Sequence, residues 1–442
     1  MSDDNLSLLR PNSIVVDAPP ELPTPQAPEP KSKRKLLELA NPTLKLSRGG
    51  SRRGATLVGL DIQPGYVSAV QARVNGSILV QRAAGMPLPP DTVREGEVLD
   101  GGALADTLRE MFAESRLDKR VRVGVANQRT VLRTLELPPL TDRKELATAV
   151  RFQAEDQVPM PLDNAVLDFH PLGVIDTPGG PRQRVIVVAA QRDMVERLLS
   201  AVRGAGLRPE GIDLSAFALI RSLHRRDEEH AGRVLYLNVG GLTNMAIAEG
   251  TVCRFTRVVS GGLESMATEI AERHGIKLQE ARDLLASVDL DESDAAVPVV
   301  GEPYGAPAQA SGEPYQTPAG SSYDPAEDST SHAPAEAPYE TAAERPKIDA
   351  RPVLAAGVRE IAGEVRNSLD FHRSQEGGGE VASVVLSGPA LQIRGFAQAL
   401  QNELRVPLTP QTVGLTGDDA AGAVSAERLA VATGLAVEEA PR

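Results

Sequence analysis

Apolar positions recur along this chain with the two periods that separate strands from helices. Residues 56–62 (TLVGLDI) form a nearly unbroken apolar run of strand length. A turn at Pro64-Gly65 follows, then a second strand-like stretch at 67–73. Asn75-Gly76, a dipeptide that favours tight hairpins, leads into a third stretch at 77–81. Together these predict a three-strand meander. Leu104, Leu108, Met111 and Phe112 then fall on one helical face. Strands are expected at 121–126 and 131–137, and a helix at 143–157 that stops before Pro159. Two more strands, 166–172 and 184–190, flank a Pro/Gly turn at 178–181. Met194, Val195, Leu198, Leu199 and Val202 mark an amphipathic helix ending at Gly204 or Gly206, and Phe217, Ile220 and Leu223 a short one.

The opening plan then recurs. An apolar strand at 234–239 ends in a Gly240-Gly241 turn, followed by strands at 244–248 and 252–259. Helices are expected around Leu263–Ile270 and Leu278–Leu285, along 354–369, through Phe396–Leu404, and finally near 426–437, with a buried strand at 381–386. The two meanders lie 177 residues apart, counted from Asp61 to Asn238, which end their first strands. Turns of this kind can aim backbone N–H groups at a phosphate. A facing pair, each with a polar or acidic strand end, suits a phosphate-and-magnesium clamp. Two ordinary hairpins in an α/β protein would leave the same pattern.

Charge changes the picture only when it is divided. The 442 residues carry 47 Lys+Arg and 60 Asp+Glu, a formal net of −13. Residues 1–30 hold seven prolines and too little apolar surface to fold, so they read as disordered. Residues 31–53 hold eight basic residues against Glu38 alone. Residues 289–344 hold twelve Asp/Glu, no Lys or Arg, eight prolines and two copies of GEPY, and read as a low-complexity linker. The rest is close to neutral. A single cysteine, Cys253, excludes a disulfide scaffold, and the six histidines form no local metal motif. No secretory signal or spanning apolar run is visible, which predicts a soluble protein in a reducing compartment.

Several long stretches carry a resemblance. TLELPPLTDRKELATAVRFQAEDQVPMPLDNAVLDFHPLG (134–173) is similar to the "ELPPM…RFEAEQYIPFPLEEVVLDYQVLG" pattern of the PilM family, the actin-like assembly proteins of type IV pili. VVAAQRDMVERLLSAVRGAGLRPEGIDLSAFALIRSL (187–223), FTRVVSGG (255–262), EVRNSLDFHRSQ (364–375) and VVLSGPALQIRGF (384–396) resemble further parts of it in the same order. The resemblance implies a two-lobed actin/FtsA-like α/β fold with ATP and magnesium between the lobes. It implies a first lobe over 54–230 with an inserted subdomain at about 120–225, and a second over 231–288 and 345–442. It also implies a cytoplasmic protein at the inner membrane face that binds the tail of a PilN-like membrane protein and meets other platform and motor proteins.

The nucleotide motifs are altered. Where the family's first loop resembles GLDIGSSSVK, this chain has GLDIQPGYVS at 59–68. Asp61 remains for the metal and Gly65 for a phosphate, but Pro64 has no N–H to donate and Ser68 stands where a lysine is usual. In the second loop Asn238 replaces an aspartate, and an amide holds a magnesium-bound water less strongly than a carboxylate. Gly240, Gly241 and Thr243 remain suited to phosphate, and the resemblance places Gly261, Gly262 and Gly388 near the nucleotide. Pro389 and Ala390 replace two glycines of the adenosine motif. These changes favour weak or absent hydrolysis. An active ATPase, a nucleotide binder without turnover and a nucleotide-free scaffold all stay open, and no catalytic residue is assigned. A kinase sharing the fold lacks a motif for its substrate-activating aspartate. The short acidic end, GLAVEEAPR, counts against a division protein with a terminal membrane helix.

Two partner surfaces are expected. Arg151, Phe152, Glu155, Gln157 and Pro159 are expected at a groove for a partner peptide; the plainer reading, compatible with it, packs Phe152 and Val158 inside and lets Pro159 and Pro161 end the helix. The basic, leucine-containing segment 31–53 suits an anionic membrane or a solvated tether. It has no interleaved aromatic residue for nucleic-acid stacking.

Overall fold

Strand β1 (Val58–Gln63) is buried along nearly all of its length because it is a central strand with both faces covered. It pairs antiparallel with β2 (Tyr66–Asn75), which pairs with β3 (Ser77–Pro87), and parallel with β6 (Arg120–Val125). β10 (Arg208–Leu214) completes the sheet beside β6, giving the order β10-β6-β1-β2-β3. β4 (Val93–Arg94) and β5 (Glu97–Val98) make a small ribbon before helix α1 (Gly101–Ser115). Asp100 caps α1 by accepting the Ala103 N–H at 2.9 Å. Residues 57–75, 77–225, 232–291, 348–375, 377–415 and 424–438 are described in this computed structural model. The N-terminal arm with its basic segment, Gly76 at the tip of the first hairpin, and nearly all of the acidic linker lie outside them.

The second lobe repeats the plan of the first. β11 (Arg233–Val239), β12 (Thr243–Glu249) and β13 (Val252–Val259) form the antiparallel meander. β14 (Ser383–Ser387) and β15 (Leu408–Pro410) add parallel strands on the other side of β11. The order β13-β12-β11-β14-β15 mirrors the first sheet, so the duplication seen in the sequence extends to all five strands. Helices α5 (Leu263–His274), α6 (Leu278–Ala286), α7 (Arg351–Ser374) and α8 (Phe396–Leu404) belong to this lobe.

A third sheet, β7 (Val131–Leu137), β8 (Ala165–Thr177) and β9 (Gly180–Gln191) in the order β7-β9-β8, carries α2 (Arg143–Gln157). Asp142 caps α2 through the N–H groups of Lys144 and Glu145. Leu146, Val150 and Ala154 turn one face of α2 onto Leu135, Val185 and Val187. This inserted subdomain is smaller than the expected 120–225. β6 and β10 at its flanks are hydrogen-bonded into the first sheet, and α3 (Arg192–Gly204) joins α1 in the core of that sheet.

The lobes share a core through α4 (Ser215–Leu223) and α9 (Ala430–Ala436). Every residue of α9 is buried. A seven-residue helix is too short to persist alone, so packing holds it. It lies against β1, β2 and α4, which moves this part of the expected second lobe onto the first. The described residues up to 291 and from 350 onward form one compact unit, to which all these elements belong.

Candidate functional site

The first turn of each meander brings the predicted nucleotide residues together. β1 ends in Asp61, Ile62 and Gln63, and the Pro64-Gly65 turn returns the chain along β2. β11 ends in Asn238 and Val239, and the Gly240–Leu242 turn leads to Thr243 in β12. These turns touch. The Gly241 N–H donates to Gln63 Oε1 at 3.1 Å, while Gln63 Nε2 donates to Asp61 Oδ2 at 2.7 Å. One amide side chain thus spans from the first lobe's strand end to the second lobe's turn. A side chain at Gly241 would collide with the Pro64 carbonyl, so only glycine permits this approach.

Asp61 is 4% exposed. Burial pushes its carboxyl up to about 7, opposed by the hydrogen bond from Gln63. A carboxyl in that range is partly protonated near neutral pH. Asn238 is turned into its own lobe, where Nδ2 donates to Ser387 Oγ at 3.0 Å and ties β11 to β14. Thr243 is fully buried, and its hydroxyl has no hydrogen-bond partner. The Gly240 carbonyl accepts the Leu263 N–H at 2.8 Å, fixing the start of α5 against the turn. Gly262 precedes α5, and its N–H donates to Ser265 Oγ at 3.1 Å. Gly261 lies beside Glu360, and Gly388 leads into a 3-10 turn at Pro389–Gln392.

The glutamate at the second position of α5 reaches back to the first lobe. Glu264 lies against Gly65 and forms a two-pronged ion pair with Arg282 of α6, at 3.0 and 2.5 Å. Tyr66, next in the loop, is covered by the Arg428 guanidinium, 4.2 Å from its ring centroid. Ser68 Oγ donates to the Arg428 carbonyl at 3.2 Å.

The groups around this loop are largely committed within the protein. Gly241 already spends its N–H on Gln63, Pro64 has none, and Glu264 sets a carboxylate beside the loop. Among the described residues, no group of three or more His, Cys, Asp or Glu could hold a metal ion. A polar cavity of about 400 Å³ does open elsewhere, lined by Asn127, Gln128, Thr130, Asn244, Ser260 and Glu360 among others. None of the predicted nucleotide residues lines it. Cys253 is buried, its thiol pushed up to about 12, and it donates to the Phe255 carbonyl. It is a packing residue.

The sequence model for the type IV pilus assembly protein PilM matches residues 59–300. The chain belongs to the PilM family. A solved structure described as a PilM-PilN type IV pilus biogenesis complex is 25% identical, with a TM-score of 0.63, over 86% of this chain and 98% of that one. The ethanolamine utilization protein EutJ from Carboxydothermus hydrogenoformans is 12% identical, over 90% of this chain and 92% of its own, with a TM-score of 0.45. MreB5 of Spiroplasma citri bound to AMPPNP is 12% identical, over 86% and 95%, with a TM-score of 0.42. The fold of this PilM-family chain is the two-lobed actin-like one, with a three-stranded subdomain inserted in its first lobe.

The predicted partner residues all sit on or beside α2 of that subdomain. Phe152 is 73% exposed, so the expectation that it packs inside is wrong. Val158 is the buried one. Arg151, Glu155, Gln157 and Pro159 are exposed, and Arg151 pairs with Asp163 at 3.1 Å. Among the described residues no helix is long and apolar enough to cross a membrane.

Proposed function

We propose that this PilM-family chain is a cytoplasmic assembly component of a type IV pilus platform that binds the tail of a PilN-like membrane protein. The likeness to the PilM-PilN complex, over nearly the whole of that chain, carries this reading. The exposed Phe152 and its polar neighbours on α2 give the partner a surface to meet: an aromatic anchor ringed by charge is the usual make-up of an interface hot spot. The chain works as a scaffold without nucleotide turnover. Support for that comes from the three substituted motifs and from the Gln63 amide, which uses the N–H of Gly241. Membrane proximity comes from the tail it binds, with the basic segment 31–53 as a second contact.

Calorimetry with the full chain and the cognate PilN-like tail peptide tests the assignment. Saturable one-to-one binding is expected, and no detectable heat would remove the pilus reading. Phosphate release from Mg-ATP at the level of buffer alone is expected in parallel. Steady turnover there would replace the scaffold with a working actin-like ATPase.

A further inference from the structure

Three features of the loop between the lobes act in the same direction. Gln63 Oε1 accepts the Gly241 N–H at 3.1 Å. Pro64, the next residue, offers no N–H and presses its carbonyl against Gly241. Glu264, in the first turn of α5, brings a carboxylate against Gly65 and is held there by Arg282. A helix start attracts anions through its free N–H groups and dipole. Here an internal carboxylate already answers that attraction. Gln63 Nε2 simultaneously donates to the buried Asp61, so its amide cannot rotate without giving up a second hydrogen bond. Pro389 also lies close to the Gly240 turn, so a side chain at Gly240 would meet both Gln63 and Pro389.

We propose that Gln63 is a built-in latch that joins the two lobes at Gly241 and stands where a bound anion would otherwise accept that N–H. Rigid closure of the lobes is then a property of the polypeptide and needs no ligand. The inference rests on the scaffold reading above and adds to it the residue responsible. Beyond the core the lobes share through α4 and α9, a Gly241 N–H left without Gln63 would need a ligand or water to accept it. Gln63 supplies that acceptor from within. Its length matters, because it must reach both Asp61 in its own strand and Gly241 across the junction. Asparagine, one methylene shorter, would satisfy one partner at a time.

Amide hydrogen exchange on the full chain tests the latch. The Gly241 amide is expected to exchange slowly in the wild type and at least about tenfold faster in Gln63→Leu, which keeps the volume but loses both hydrogen bonds. Amides of Val234–Leu237 in the β11 core report whether each variant remains folded. Gln63→Ala is a second variant for the same readout should Gln63→Leu fail to fold. Equal exchange at Gly241 in wild type, Gln63→Leu and Gln63→Ala would overturn the latch. So would added protection of wild-type Gly241 by 1 mM Mg-ADP or inorganic phosphate, since an anion would then share the position. ATP turnover is measured separately. Turnover by the wild type defeats the scaffold reading, whereas unchanged exchange with no turnover defeats only the latch.

Discussion

Arg221 grips the carboxylate of Asp213 at 2.5 Å in the interior, where the two side chains are only 11% and 8% exposed. Arg221 also donates to the Gly434 carbonyl in α9, at 3.0 Å. Arg122, in the next strand, donates to the carbonyls of Leu435 and Val437 at 3.2 and 2.9 Å. Burial lowers the Arg122 pKa, and the Asp213 charge opposes that shift. Asp213 is therefore the anion between two buried guanidiniums that hold the end of α9. Removing one partner of a buried pair costs about 3–5 kcal/mol, because the other charge is left desolvated. Asp213→Ala should lose that much in urea denaturation. A loss under about 1 kcal/mol would mean that water reaches the arginines.

Asp61 gives a pH dependence with a definite sign. Its folded pKa of about 7 exceeds the ordinary value of 3.8, so the native state holds a proton that the unfolded chain releases. Stability from this group is full below about pH 4, falls as pH rises from about 4 to 7, and is flat above. Asp61→Asn removes the slope and should make the protein more stable at pH 8, by an amount on the order of a few kcal/mol. Denaturation midpoints at pH 5 and pH 8 decide it. A variant with the same pH slope as the wild type would show that Asp61 is ionised when folded.

Phe152 separates binding from stability. It is exposed, so Phe152→Ala should change stability by no more than about 0.5 kcal/mol. If it anchors the partner tail, the same change should weaken binding about tenfold or more. Peptide affinity that is unchanged in Phe152→Ala would move the contact away from α2.

Gly434 tests the fit of α9. A Cβ there would collide with the Ala218 carbonyl of α4. Overpacking of this kind costs about 1–3 kcal/mol. Gly434→Ala should lower the midpoint of thermal unfolding accordingly, and a neutral result would show that α4 and α9 can part without penalty.

Much of the fold was legible because hydrophobic spacing is local. The α2 bounds, Arg143–Gln157, match the pattern, and the second meander followed from the first. The face of α2 was readable too: Leu146, Val150 and Ala154 recur every four residues, and Phe152 falls off that line. β10 was missed because RPEGIDL looks like a turn. It becomes a strand by pairing with β6, with a bulge between Pro209 and Gly211 absorbing the irregularity. Gln63 was visible as a substitution in a phosphate loop, but its partner lies 178 residues away. Motif comparison registers what such a residue replaces. It carries no information about what the residue touches.

The position of α9 sets the order in which the molecule can be finished. Ser68 in β2 bonds a carbonyl 360 residues downstream, and the covering of β1 comes from the same late segment. During synthesis β1, β2 and β3 emerge early, yet the groove that α9 fills stays bare until Ala430–Ala436 have also left the ribosome. The lobe made first is thus completed last. Its apolar groove is the surface a chaperone would have to shelter in the interval.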